Sequence, residues 1–405
     1  MATAGEVDRT PVDTAASRPR ADRHAPVFPA FLTARPRLPA LDGWRALSIV
    51  FVLLLHIQPA DGFDPEVGRV LRWLPDGGFG VEIFFVISGF LITYLLLLEW
   101  NRAGSISIGG FYLRRALRIL PAYCAFLVAV TGLCLFTAFG LTGWQVAALL
   151  TYTANFDPTM PWTVGHIWSL SVEEQFYLLW PASFLLLLSR PSLSRPSLSG
   201  SLSSPMLACL LPILFAPIAR LLSYFHLGGP LFATYSFFAH ADLLAFGCLM
   251  ALLCGYHGDR VAMLLERHPR ALAAAAIAMM LVPHVLTRLA TGGIFTVPFR
   301  GTFDGIGIST LLLLSLRHAD RPAVRWLDWP AVRRFGTWSY SIYLWQQLFL
   351  TPSAVYGFDA PPLPLRLPWN LAGAIGAAVL CHYLIERPFL GLKDRLGRRR
   401  HPPIP

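Results

Sequence analysis

Residues 41–56 read Leu-Asp-Gly-Trp-Arg-Ala-Leu-Ser-Ile-Val-Phe-Val-Leu-Leu-Leu-His. An apolar run of this kind, entered through Asp42 and Arg45 and closed by His56, is expected to be a helix in a bilayer. Arg45 and His56 are separated by ten residues, and eleven steps of 100° return to within about 20° of the same face, roughly 16 Å along the axis. A histidine inside a span is expensive and usually faces the bundle interior. The plainer reading of a lone intramembrane histidine is a packing hydrogen bond between helices. A face shared with Arg45 moves the reading towards function.

Apolar runs recur outward from this segment, at approximately 79–99, 117–140, 143–156, 167–189, 206–225, 231–255, 271–290, 299–316, 336–356 and 367–386. The 405 residues are 55% hydrophobic and only 14% charged, against about a quarter charged in soluble domains, and the mean hydropathy is +0.54. The fold expected is an all-α, polytopic transmembrane bundle of about ten spans. The run 143–156 is short enough to be re-entrant or interfacial, and counting it gives eleven.

The net charge of +10 is carried by arginines at the ends of apolar runs, which fits the positive-inside rule better than nucleic-acid binding. Arg35 and Arg37, the loop with Arg102, Arg114, Arg115 and Arg118, and the terminal Arg395 and Arg398–Arg400 are therefore expected in the cytoplasm, with the acidic segment Asp61–Asp76 opposite. Termini on one side require an even number of spans. The expected organisation is a disordered cytoplasmic tail over 1–35, a membrane unit over 36–392 and a basic cytoplasmic tail over 393–405. The tail lacks the apolar core of a cleavable signal peptide. The tandem Ser-Arg-Pro-Ser-Leu of 189–205 reads as a flexible loop. The six cysteines lie in or beside apolar runs without CxxC spacing, which reads as small buried hydrophobes and indicates neither a metal site nor a disulfide framework.

Three further segments carry chemistry. In Thr163-Val-Gly-His-Ile-Trp-Ser-Leu-Ser-Val-Glu-Glu-Gln-Phe-Tyr177, His166 and Glu173 share a face if the segment is helical, while Glu174 points elsewhere and reads as a capping residue. In Phe111-Tyr-Leu-Arg-Arg-Ala-Leu-Arg-Ile-Leu-Pro121, Arg115 and Arg118 are neighbours at i and i+3, beside Arg114. They are a positive-inside anchor and also a guanidinium cluster suited to phosphates, as on coenzyme A. In Gly78–Tyr94, Glu82 opens a Gly- and Phe-rich span at the interface, where Ser88 and Gly89 permit close helix approach.

In their order and spacing these segments resemble the acyltransferase-3 family of membrane O-acyltransferases. The match runs from about Leu38 to Leu392. Arg45 and His56 resemble its Arg-x10-His signature, Arg115-x-x-Arg118-x-x-Pro121 its Arg-x-x-Arg-x-x-Pro motif, and His166–Tyr177, Phe335–Trp345 and Ile385–Phe389 its later stretches. The resemblance implies transfer of an acyl group, acetyl being the commonest expectation, from acyl-CoA as co-substrate to a hydroxyl of a glycan, glycolipid or glycoside, with no permanently bound cofactor. On this reading His56 removes the proton from the attacking alcohol, or carries the acyl group transiently. Arg45 holds a phosphate or polarises the thioester carbonyl, paired with Asp42. Glu173 and His166 orient the acceptor or tune His56, and Arg115 and Arg118 hold the donor's phosphates. Where many members have His after Tyr343-Leu-Trp345, this chain has Gln346. Some members append a hydrolase-like domain; a chain ending at Pro405 would complete transfer alone. The rival reading is a transporter or flippase, since intramembrane His, Arg and Glu also line substrate pathways, although the two halves show no convincing internal repeat.

Overall fold

The computed structural model describes residues 26–34, 38–71, 73, 77–188, 204–227, 235–289 and 293–392. The expected N-terminal tail up to residue 25, most of the serine-rich loop and the basic tail 393–405 lie outside the described residues, as do Arg35, Arg37, Arg395 and Arg398–Arg400. The architecture is all-helical, with no strand among the described residues.

Ten helices of 13 residues or more organise the described residues: α1 Pro39–His56, α2 Gly77–Ala103, α3 Ile108–Phe136, α4 Ile167–Leu188, α5 Ser204–Tyr224, α6 Phe237–Tyr256, α7 Pro269–Arg288, α8 Gly293–Arg317, α9 Pro330–Leu350 and α10 Trp369–Cys381. Their starts follow local chemistry. Prolines begin α1, α7 and α9, where a missing N–H is harmless. Ser107 and Ser236 cap α3 and α6, accepting from Gly110 N and Ala239 N. Prolines inside α3, α4, α5, α7 and α8 are tolerated as in other membrane helices.

Among the described residues, six segments are long and apolar enough to cross a membrane: Gly78–Ala103, Ile108–Phe136, Ser204–Tyr224, Phe237–Tyr256, Pro269–Thr287 and Trp369–Leu392. α1, α4, α8 and α9 fall outside this set, and α4 and α9 are conspicuously polar. α4 carries Glu173, Glu174 and Gln175, and α9 carries Arg333, Arg334, Gln346 and Gln347. The run 143–156 does not form a long helix. It folds as Gly143–Leu150 with a Thr142/Gln145 capping box, followed by a short 3₁₀ turn at Ala154–Phe156.

α1 and α2 pack together at the centre, with α6 against α2 and α9 against α1; α5 and α8 lie beyond α6, α7 beyond α8, and α10 beyond α9. Two approaches are at backbone contact. A Cβ on Gly89 would sit 2.0 Å from Leu244 O, and one on Gly247 2.1 Å from Val86 O, so small residues let α2 and α6 touch. A Cβ on Gly336 would lie 1.8 Å from Asp42 O, which joins α9 to the Arg45 end of α1. Side-chain hydrogen bonds between helices add to the packing: Trp44 Nε1 donates to Ser315 Oγ at 2.9 Å, Trp180 Nε1 to Thr93 Oγ1 at 2.9 Å and Tyr340 Oη to Ile119 O at 3.0 Å.

Residues 26–34 were expected to belong to a disordered tail, yet they are packed. Ala30–Thr33 forms a helical turn with Leu32 buried, and Phe28 is buried against the edge of Tyr94. The polar composition of the preceding residues hides a short apolar anchor, Phe28, Phe31 and Leu32, which the ends of α2 and α6 accept.

Candidate active site

Two polar compartments lie along α1, one at each end of the Arg45–His56 stripe. The first is a narrow chamber of about 80 Å³ for water-sized occupants. α1 contributes Arg45, α2 Ser88, α3 Arg115 and Arg118, α4 Glu173, and α9 Tyr343. Asp42 sits one turn before Arg45 and pairs with it at 3.6 Å. Glu173 Oε1 accepts from both Ser88 Oγ and Tyr177 Oη. The Arg115 guanidinium lies 3.2 Å over the Tyr177 ring, 3.4 Å from Glu174 and 3.9 Å from Glu173. Its charge is therefore already neutralised by two carboxylates. Arg118 lines the same chamber close enough to Arg45 and Arg115 for like-charge repulsion, which the Glu386 carboxylate offsets.

The second compartment surrounds His56. Its Nδ1 lies 2.9 Å from Gln346 Oε1. An amide oxygen only accepts, so Nδ1 carries the proton and Nε2 keeps its lone pair. His56 meets Trp162 edge-on at 5.2 Å, and the His166 ring lies 6.4 Å away. His166 is held by Gln347 Oε1, which accepts from its backbone N–H at 3.2 Å, and by Leu344 O, which accepts from Nε2 at 3.2 Å. Gln346 Nε2 and His166 Nδ1 are buried with no hydrogen-bond partner among the described residues. An amide donor and an imidazole acceptor thus flank His56 unsatisfied.

A thin layer separates the compartments. Tyr343 Oη donates to His166 O at 2.7 Å and bonds Ser169 Oγ. The Tyr343 ring packs edge-on to His166 at 5.3 Å while also lining the chamber.

Several expectations are corrected by this arrangement. Arg45 and His56 share a stripe of α1 but open on different compartments. His166 and Glu173 do not share a helix face, because the chain breaks between the short helix Trp162–Gly165 and α4, with His166 at the junction. Glu174 is not a first-turn cap: α4 starts at Ile167, and Glu174 accepts from Arg115. Arg114 turns away from the chamber to pair with Glu99 at 2.9 Å. Glu82 is buried on α2 without lining the chamber. Ser88 was read from sequence only as a small residue for close helix approach, and Tyr177, Tyr343 and Gln347 were not singled out. The available signal was polar spacing: Tyr177 follows Glu173 by four, and Tyr343, Gln346 and Gln347 follow i, i+3, i+4 on one face of α9. Glu386 also went unnoticed. It is buried in a π-turn at His382–Glu386, accepting from Ser341 Oγ at 3.0 Å with His382 Nδ1 at 2.8 Å; such turns concentrate at functional positions.

With this geometry in hand, comparison with known proteins is decisive. The acyltransferase domain profile of the acyltransferase-3 family matches residues 38–387. The chain belongs to this family. It is 26% identical to the peptidoglycan O-acetyltransferase OatA of Listeria monocytogenes over 391 residues, which covers 89% of this chain and 58% of that protein. It is 26% identical over 373 residues to YrhL of Bacillus subtilis, provisionally named for the same activity, covering 87% and 54%. A Staphylococcus aureus protein provisionally named an O-acetyltransferase is 34% identical over 167 residues, 37% of this chain and 25% of that protein. The chain therefore spans little more than half the length of the first two relatives. No solved structure matches the fold.

Proposed function

We propose that this acyltransferase-3 chain is a multi-pass membrane O-acyltransferase that moves an acetyl group from an acyl-CoA to a hydroxyl of a glycan or glycosylated acceptor. The observation that carries the reading is the His56–Gln346 pair: an imidazole with one nitrogen fixed and the other left with its lone pair, beside a buried amide N–H without a partner among the described residues. A hydroxyl becomes a competent nucleophile when His56 Nε2 takes its proton. Its oxygen attacks the thioester carbonyl, and Gln346 Nε2–H donates to the oxyanion that forms. As the tetrahedral intermediate collapses, the C–S bond breaks and the imidazolium returns its proton to the departing thiolate. The acceptor leaves as its ester, the donor as free CoA.

The chamber supplies the other half of the reaction. Arg45 and Arg118 face the acyl end of the donor, while Arg115, spent on Glu173 and Glu174, fixes the chamber wall and does not bind phosphate. For the acyl group to meet His56, the Tyr343–Ser169–His166 layer must part. On this reading each of the ten long helices is a crossing, with both termini and the chamber on the cytoplasmic side and His56 towards the outer face; the arginine-rich flanks support that orientation. The names of the relatives support a cell-wall glycan as the acceptor class.

The test is direct. Purified full chain in lipid nanodiscs is incubated with acetyl-labelled acetyl-CoA and soluble cell-wall glycan fragments. Transfer is expected in the unaltered chain, with at least a hundredfold loss in His56→Ala. A folded His56→Ala variant that transfers at the unaltered rate refutes the assignment of the base. A donor left intact with every acceptor tried returns the reading to a transporter.

A further inference from the structure

The chamber is too small for a whole CoA. About 80 Å³ admits a thioester tip, whereas pockets for ligands of drug size measure about 300–1,000 Å³. A second cavity, a cleft of about 550 Å³, lies beside it, and Arg45 lines both. The cleft is walled by Leu32 and Thr33 of the N-terminal segment, by Asp42 and Arg45 of α1, and by α2 from Leu91 to Arg102.

The N-terminal segment is a strap pinned across the ends of α2 and α6. Val27 N–H donates to Gly255 O at 2.7 Å, Asn101 Nδ2 to Pro26 O at 2.5 Å and Tyr94 Oη to Leu32 O at 3.0 Å. A Cβ on Gly258 would lie 2.9 Å from Pro29 Cδ, so that glycine lets the strap lie close. The cleft is thus a built feature with a fixed wall. Leucines line its middle, with Thr33 and Tyr94 among them, and its two ends are charged, Arg102 at one and the Asp42–Arg45 pair at the other. From Leu91 to Arg102 it runs along eleven helical steps, about 16 Å.

We propose that this cleft holds the pantetheine arm of the CoA donor, with its phosphates against Arg102 and its thioester end turned in past Arg45 to the chamber. The strap is then part of the donor site. The inference rests on the thioester-donor reading above. An extended chain with an anionic head and a neutral, amide-bearing tail matches a cavity that is cationic at its outer end and lined within by leucines, Thr33 and Tyr94. Asp42 is neutralised by Arg45, so Arg102 is the charge left to meet phosphate. The nucleotide itself remains outside the bundle.

The probe is CoA alone, read by labelling. Leu95, half exposed in the cleft, is changed to Cys in a chain carrying Cys124→Ser, and maleimide labelling is followed in nanodiscs. CoA is expected to slow labelling at least fivefold, and dephosphorylated pantetheine much less. Arg102→Glu removes the protection and raises the donor KM about tenfold, with kcat unchanged. Thr33→Trp, which fills the cleft from the strap, also raises the donor KM at unchanged kcat. Normal transfer with no protection by CoA overturns the cleft assignment. So does protection by added phosphatidylglycerol in place of CoA, which makes the cleft a lipid site. Protection by CoA without any acyl transfer sinks the enzymatic reading instead, so the two failures are distinguishable.

Discussion

Gln346→Leu removes two interactions beside His56 at once. The Nδ1–H of His56 loses its side-chain acceptor, Gln346 Oε1 at 2.9 Å, and the buried amide donor of Gln346 Nε2 disappears. Leaving Nδ1–H unsatisfied in a buried place costs about 1–3 kcal/mol, which sets the expected loss of stability. Loss of an oxyanion donor lowers kcat by about 10²–10³, or about 2.7–4 kcal/mol. Gln346→Glu separates the two. A carboxylate oxygen still accepts from Nδ1–H, but no N–H remains for the oxyanion. Its kcat is therefore expected to fall by about 10², with donor KM unchanged because the donor cavities lie at the other end of α1. The assay is single-turnover acetyl transfer at saturating acceptor, with thermal unfolding of each variant to establish that it is folded. A folded Gln346→Leu variant within twofold of the unaltered kcat refutes both roles of Gln346. A Gln346→Glu variant at the unaltered rate refutes the oxyanion role alone.

The neighbouring arginines should behave oppositely: Arg114→Ala, on a partly exposed pair with Glu99, is expected to leave kcat within twofold, while Arg115→Ala, which strips two carboxylates of their partner, is expected to lower it more than tenfold. A double-mutant cycle between Arg115→Ala and Glu174→Gln should show coupling of about 0.5–3 kcal/mol in unfolding free energy, and additive losses would show that the pair is not coupled. Gly247→Val forces a side chain onto Val86 O and is expected to abolish folded yield on size-exclusion chromatography, whereas Gly143→Ala, with open space around it, should be recovered normally. Tyr343→Phe releases the hydrogen bonds to His166 O and Ser169; loosening the layer between the compartments should raise donor hydrolysis in the absence of acceptor, and an unchanged hydrolysis rate would count against that layer as a barrier.

Periodicity and composition located the helices because burying an apolar run requires little beyond hydropathy, and α2, α3 and α6 read as crossings on that ground. The helices that look least like crossings are informative for the opposite reason: α4 and α9 are diluted by Glu173, Glu174, Gln346 and Gln347, and these same residues build the two compartments. A helix dense in polar groups is admissible inside a bundle when those groups satisfy one another, so low hydropathy in an otherwise apolar chain points towards a site. Helical spacing predicted that Arg45 and His56 share a stripe, and α1 places them so, but spacing carries no information about what fills the interval. The Tyr343–Ser169–His166 layer comes from α9 and from the break before α4, and no count along α1 could reveal it. The break itself escaped because His166 and Glu173 have helical spacing while Gly165 ends one helix and Ile167 begins another. Gln346 stood out only as a departure from a resembling pattern; its meaning needed the 2.9 Å bond to His56, 290 residues away in the chain. The same distinction separates Arg114 from Arg115. Adjacent residues on a helix point about 100° apart, and that rotation alone sends one guanidinium to Glu99 and the other into the chamber, so a cluster of arginines read along the sequence is two different environments in the fold.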